Sequence, residues 1–108
     1  MKIVRLKPYR RAMQRMGLGE EAMRGIELAI AAAPESHPVM KGLRGVRKAR
    51  FALPGRGKSG GGRLVYYLRV GEAIYLMTAY TKNERDDLSS EQRRAILAVI
   101  ESLKEDSK

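Results

Sequence analysis

The apolar residues of this chain recur with two different periods, which predict strands and helices in a definite order. Residues 2–7 alternate in the manner of a short strand, and Pro8 ends it because proline cannot donate a ladder hydrogen bond. Apolar residues then recur at helical spacing from residue 9 until Gly17. A second helical stripe opens with two glutamates, which suit the positive end of a helix dipole, and stops at Pro34.

The second half of the chain predicts a sheet followed by one more helix. After a loop rich in proline and glycine, residues 45–52, 62–70 and 73–80 are dense in valine, tyrosine, leucine and isoleucine, as the strands of an antiparallel meander are. Ser89 followed by Gln92 is typical of a capping box, and a clear helical stripe follows it. We expect an α+β domain of the order β-α-α-β-β-β-α, with a small, mainly antiparallel, twisted sheet and the helices packed on one face.

Size and composition exclude several classes of protein. A chain of 108 residues predicts a single domain over residues 1–108. No stretch approaches the length of a membrane span and no secretory signal is visible, so we expect a cytoplasmic protein without membrane contact. With no cysteine and one histidine, we expect neither a metal site nor a cofactor.

The basic charge is concentrated in one region. The net charge is +10, and residues 36–71 contain nine lysines and arginines but no acidic residue. Such a surface stores self-repulsion that an anionic partner relieves, which favours a nucleic acid. A merely solvated basic surface is the alternative.

Strand alternation brings the cations of this region to one side of the sheet. Lys48 and Arg50 share a face because Ala49 and Phe51 point the other way. If Phe51 and Leu64 are buried together, Arg63 of the next strand joins that face, which we expect no helix to cover. Three crowded cations cost stability unless a phosphate bridges them, so the pattern predicts a phosphate site or, alternatively, a solvated sheet face.

A glycine-rich segment, residues 55–63, contains Gly-Lys-Ser but does not fit a P-loop. The position six residues before Lys58 is alanine, and a strand rather than a helix is predicted to follow. We interpret the segment as a hairpin connection whose Arg56 and Lys58 contact RNA phosphates; a plain glycine-rich loop is the alternative. We expect Arg47, which precedes the segment, to contact RNA as well. Tyr67 and Tyr80 are candidate stacking surfaces for bases.

Several short motifs resemble one known family. Val-Arg-Lys-Ala-Arg-Phe (46–51), Gly-Lys-Ser-Gly-Gly (57–61), Arg-Leu-Val-Tyr-Tyr (63–67) and Ala-Tyr-Thr-Lys-Asn-Glu (79–84), with Asp-Leu-Ser at 87–89, are similar to the HigB branch of the RelE toxins of toxin-antitoxin systems. The resemblance covers roughly residues 20–103. It implies an endoribonuclease that enters the ribosomal A site and cleaves the bound message without a metal, leaving a 2′,3′-cyclic phosphate.

The resemblance also implies roles for individual residues. Lys48 and Arg50 occupy paired basic positions, Arg63 that of a phosphate-binding arginine, and Lys82 a basic position after the last strand. We expect Arg63 and Arg50 to stabilise the phosphate and Lys48 to accept the proton. One departure is Leu88, which stands where RelE has a tyrosine near its end.

The implied partners are messenger RNA in the A site, the ribosome and a cognate antitoxin, expected to be a helix-turn-helix protein. Two other functions stay open at this point. The related ParE branch shares the fold and poisons DNA gyrase, but that activity requires no phosphate-cleaving cluster. A non-catalytic RNA-binding module would use the same basic face.

Overall fold

A four-stranded mixed sheet organises the molecule. The structure is a computed structural model that describes residues 1–53, 61–84 and 87–106. The strands are β1 (Lys2–Arg5), β2 (Arg47–Phe51), β3 (Gly62–Arg69) and β4 (Ala73–Thr81). Their order in space is β1-β4-β3-β2; β1 runs parallel to β4, and the other two pairings are antiparallel.

Three helices complete the predicted element order: α1 (Lys7–Arg15), α2 (Glu20–Ala32) and α3 (Ser90–Asp106). Pro8 lies in the first turn of α1, where its missing N–H costs nothing. The capping box at α3 is confirmed, since the Ser89 amide donates to Gln92 Oε1 at 2.9 Å and the Gln92 amide donates to Ser89 Oγ at 3.1 Å. No helix within the described residues is long and apolar enough to span a membrane.

The helices lie on both faces of the sheet, so the prediction that they share one face is wrong. Tyr9 and Met13 of α1 and Ile30 of α2 pack with the Leu64 face of β3. The buried residues of α3, Ile96 and Ile100, instead pack on the opposite face with Val65, Met77 and Tyr80. β3 and β4 are therefore buried on both sides, which is why their apolar residues are almost continuous.

A β-bulge keeps both faces of β4 packed. Val65 pairs with Thr78 but Tyr66 pairs with Leu76, which leaves Met77 as an extra residue. Met77 joins the core beneath α3, while Leu76 joins the core beneath α1 and α2. The bulge also sets the register beyond it, so that Tyr80 of β4 lies opposite Arg63 of β3.

An ionic cluster around the buried Glu27 joins β1 to α1 and α2. Arg5 donates from Nε and Nη2 to the two carboxylate oxygens of Glu27, each at 2.9 Å, and from Nη1 to Glu20. The Tyr9 hydroxyl donates to Glu27 Oε2 at 2.6 Å. Glu27 is only 5% exposed, so these bonds replace its lost hydration. We call Arg5, Tyr9, Glu20 and Glu27 the Glu27 cluster.

Candidate nucleic-acid interface

Two arginines and a tyrosine form a row across three strands. Arg50 of β2 lies directly opposite Arg63 of β3, and Arg63 lies opposite Tyr80 of β4. Directly opposed residues of antiparallel strands have Cβ atoms about 5 Å apart. The predicted convergence of Arg50 and Arg63 on one face is therefore confirmed by the register.

Lys48 extends this row along β2. It lies two residues before Arg50 on the same face, and its backbone partner on β3 is Val65. Alternating residues on one strand are separated by about 7 Å. Arg50, Lys48 and Arg63 therefore place three cationic side chains on adjacent strands; we call these three residues the β2–β3 cations.

The β2–β3 cations differ in exposure. Arg50 is exposed, Lys48 is half-buried, and Arg63 is buried at 9% exposure, with its Nη1 donating to the carbonyl oxygen of Gly62 at 3.1 Å. No ion pair of Arg50 or Lys48 is found within the described part of the chain. Adjacent cations repel one another, and an anion placed between them removes that cost.

Helix α3 narrows this interface, because it covers the middle of the face that we expected to be bare. Val65 lies two residues along β3 from Arg63, on the same face, and is fully buried in the core beneath α3. The cations therefore lie along the β2 edge of the sheet, beside the helix rather than on an open face. Arg50, the exposed member of the three, lies at that edge.

The residues predicted to contact RNA do not all join the β2–β3 cations. Arg47 alternates with Lys48, so it lies on the opposite face, where its Nη1 donates to the carbonyl oxygens of Glu35 at 3.1 Å and His37 at 2.7 Å. Tyr67 shares the face of Arg63 but lies four residues along β3, about 13 Å away.

Two further predictions concern aromatic stacking and the glycine-rich connection. Tyr80 belongs to the core beneath α3 and is only 2% exposed, so the expectation that its ring stacks on a base is wrong for this conformation. Arg56 and Lys58 lie outside the described residues.

Lys82 lies at the same end of the sheet as the row. It follows β4 by one residue, is exposed, and its amide donates to the carbonyl oxygen of Gly61 at 2.9 Å, which continues the β3–β4 ladder. Next to it, the Thr81 amide donates to the Glu84 carboxylate at 2.9 Å, so Glu84 shapes the turn. Lys82 is thus held two residues beyond Tyr80.

A cavity of about 240 Å³ that the sequence did not predict lies beside Lys48. Its polar lining includes Lys41 from the loop before β2, Asp87 before α3, and Arg93 from the first turns of α3. Only the packing of α3 against that loop brings them together. The one signal in the sequence was that Arg93 follows a capping box, which fixes where its helix begins.

The described residues contain no group of three or more histidine and carboxylate side chains arranged to hold a metal ion. The β2–β3 cations supply one amine and two guanidiniums. Both kinds of group bind phosphate oxygens, and an amine can also transfer a proton.

Comparison with known proteins identifies relatives. A sequence model of one family, described as the RelE toxin of the RelE/RelB toxin-antitoxin system, matches residues 1–108. The solved structure of an E. coli RelE toxin in the free state, a mutant with two arginines replaced by alanine, superposes with a TM-score of 0.51 at 15% identity. The match covers 79% of this chain and 86% of that chain, and it shows a shared fold.

Proposed function

Because this chain belongs to the RelE toxin family, we propose that it is a ribosome-dependent endoribonuclease of the HigB-like branch that cleaves messenger RNA in the A site. The observation that carries the proposal is the register that sets Arg50 opposite Arg63, with Lys48 on the same face. A polyanion whose phosphates are cut needs cations at the reacting phosphate. Three of them on adjacent strands meet that need.

The proposed reaction is attack by a ribose 2′-oxygen on the neighbouring phosphorus. The 2′-oxygen–phosphorus bond forms and the bond to the leaving 5′-oxygen breaks, which gives a 2′,3′-cyclic phosphate and a free 5′-hydroxyl. Lys48 in its neutral form takes the proton of the 2′-hydroxyl, and Lys82 in its charged form gives a proton to the leaving oxygen. Arg50 and Arg63 stabilise the charge on the crowded phosphate.

The direct test is cleavage of a defined message on purified ribosomes. With the purified protein, new 5′ ends should map within the A-site codon, and a 2′-deoxy substitution at the nucleotide that attacks should abolish them. Cleavage that survives this substitution would overturn the mechanism. Intact messages together with inhibited DNA supercoiling would replace the proposal with gyrase poisoning, and intact messages with RNA binding alone would leave a non-catalytic module.

Arginine substitution tests the site itself. An Arg63→Ala variant should cleave roughly 100- to 1,000-fold more slowly, as expected when a stabilising donor to a charged transition state is removed. An Arg24→Ala variant removes an equal charge from the exposed side of α2 and should cleave at the wild-type rate. An Arg63→Ala protein that is folded and cleaves normally would eliminate this assignment.

The family also implies an antitoxin partner. We propose that it is a helix-turn-helix protein encoded next to this gene. Co-expression of the neighbouring reading frame should yield a stable complex in which cleavage is blocked. A neighbouring protein that neither binds nor inhibits this chain would contradict the proposal.

A further inference from the structure

The cavity beside Lys48 has walls from three parts of the chain. It lies between the loop before β2, the edge strand β2 itself and the start of α3, and its volume is about 240 Å³. It is lined by Pro38, Val39, Met40, Lys41, Lys48, Asp87 and Arg93. Lys48 belongs to both this cavity and the β2–β3 cations, so the two are continuous.

Arg93 is held in a fixed orientation at the cavity. Its Nη2 donates to the carbonyl oxygen of Lys41 at 2.5 Å, and its Nη1 lies 3.8 Å from Asp87 Oδ2. The loop turns tightly here, because Gly42 has a φ of +78° and a Cβ at this position would lie 3.6 Å from Arg93 Nη2. A guanidinium already ordered by the protein loses little side-chain entropy on binding a ligand.

The charge of the cavity suits a phosphate. Lys41, Lys48 and Arg93 contribute three positive charges against the single negative charge of Asp87. A guanidinium has five N–H donors, and the contacts to Lys41 and Asp87 leave others for an anion. At 31% exposure, the Arg93 side chain is accessible from solvent yet partly shielded from it, which strengthens its interaction with an anion.

We propose that this cavity binds a second message phosphate, the one adjacent to the scissile phosphate, through Arg93 and Lys41. The inference rests on the proposed function, because it takes the scissile phosphate to lie at Arg50 and Arg63. Lys48 stands between the two sites, about 7 Å along β2 from Arg50. Because Lys48 lines the cavity and shares a face with Arg50, the two sites adjoin each other and one message strand can occupy both.

The experiment pairs a protein substitution with removal of charge from one phosphate. Messages are prepared with a neutral methylphosphonate on either side of the scissile phosphate, and their single-turnover cleavage on ribosomes is measured. On the unmodified message, Arg93→Ala should cleave about tenfold more slowly than the wild type, the effect typical of losing a charged hydrogen bond. On one of the two methylphosphonate messages, the two proteins should cleave at nearly equal rates.

Two controls separate phosphate binding from a structural role. Arg94→Ala removes the same charge from the neighbouring exposed position of α3 and should leave cleavage unchanged. Lys41→Gln removes the lysine charge but keeps the carbonyl oxygen that Arg93 binds, so it should fold normally and show the same loss on the same message. Equal losses by Arg93→Ala on all three messages, or no loss in either variant, would overturn the proposal.

A measurement of binding tests the phosphate site separately from cleavage. The affinity of ribosome complexes carrying a 2′-deoxy message is measured for the same variants, and Arg93→Ala and Lys41→Gln should weaken it. If the wild type does not cleave but both variants still lose affinity, the endonuclease proposal fails and the phosphate site stands. If the wild type cleaves and neither variant loses affinity or rate, the phosphate site fails alone.

Discussion

Two arginines on opposite faces of the sheet, Arg5 and Arg50, have different surroundings. Beneath α1 and α2, Arg5 has two carboxylate partners, one of which is buried and also accepts a hydrogen bond from Tyr9. Beside α3, Arg50 lies opposite Arg63, and the described residues give Arg50 no carboxylate partner. The charge of Arg5 is neutralised within the fold, whereas Arg50 lies exposed on an edge strand, where an anion from outside can reach it.

This difference distinguishes a structural cation from a functional one. A half-buried arginine paired with a buried carboxylate contributes to the fold, because loss of either partner leaves an uncompensated charge. Arg50, which faces another cation and has no carboxylate partner among the described residues, should by contrast cost stability. Substitutions in the Glu27 cluster and at Arg50 should therefore change stability in opposite directions.

The largest effect on stability should come from Glu27. A Glu27→Ala variant leaves Arg5 without its buried partner and the Tyr9 hydroxyl without an acceptor, so the free energy of unfolding should fall by about 3 kcal/mol. Urea unfolding followed by circular dichroism measures this. Glu20→Ala removes the exposed partner of the same arginine and should cost much less, because solvent screens that contact. Equal losses of stability in the two variants would show that the buried contact of Glu27 contributes no more than the exposed contact of Glu20.

The next largest effect on stability should come from the contact between Phe51 of β2 and Gly62 of β3. A Cβ at Gly62 would overlap three ring carbons of Phe51, so Gly62→Ala should destabilise the protein by about 1–3 kcal/mol and displace Arg50 from Arg63. The control is Gly25→Ala in α2, where a Cβ meets open space and the helix should gain about 0.5–1 kcal/mol. Chemical denaturation distinguishes these opposite signs; a stable Gly62→Ala protein would contradict the packing at β2.

The Glu27 cluster also predicts a dependence on alkaline pH. Burial, together with the hydrogen bond to Glu27, raises the pKa of Tyr9 above its usual value of 10.0. Above about pH 10 the unfolded chain ionises this group while the folded one does not, so stability that is complete below that pH is lost as pH rises. Tyr9→Phe should cost about 1 kcal/mol at neutral pH.

Unfolding from pH 8 to 11 provides the check. The loss of stability above pH 10 should be shallower in Tyr9→Phe than in the wild type. A Tyr75→Phe variant, at a half-buried position of β4, serves as the control and should follow the wild type. Superimposable curves for Tyr9→Phe and the wild type would contradict this account of the cluster.

The smallest effect on stability should be an increase rather than a loss. Arg50→Gln removes one of two directly opposed cations, so the free energy of unfolding should rise by roughly 0.2–1 kcal/mol. The rise should shrink in high salt, because salt screens the repulsion between exposed charges. A marked loss of stability would mean that Arg50 has a structural partner.

The sequence predicted local structure and strand alternation well because both depend on neighbouring residues. The capping box at Ser89 is a contact over three residues, and the shared face of Lys48 and Arg50 follows from a strand that buries Ala49 and Phe51 on its other side. Alternation also correctly separated Lys48 from Ala49. Each of these predictions needed only the period of a strand or the first turn of a helix.

The face chosen by α3 could not be predicted in the same way. Its apolar stripe shows that the helix packs on something, but it does not specify which side of the sheet. On the face that we expected to be open, Val65 is apolar and wholly buried, and Tyr80 is buried with it. Arg93 was missed for the same reason, since its contact with Lys41 spans 52 residues of sequence.

The most direct test of the central claim compares equal charge losses on the two faces. Single-turnover cleavage of one A-site message is measured for Arg50→Gln and for Arg24→Gln, an exposed position on α2. The account predicts that Arg50→Gln, although at least as stable as the wild type, cleaves about 100-fold more slowly, while Arg24→Gln changes the rate less than about twofold. Equal rates for the two variants would contradict it.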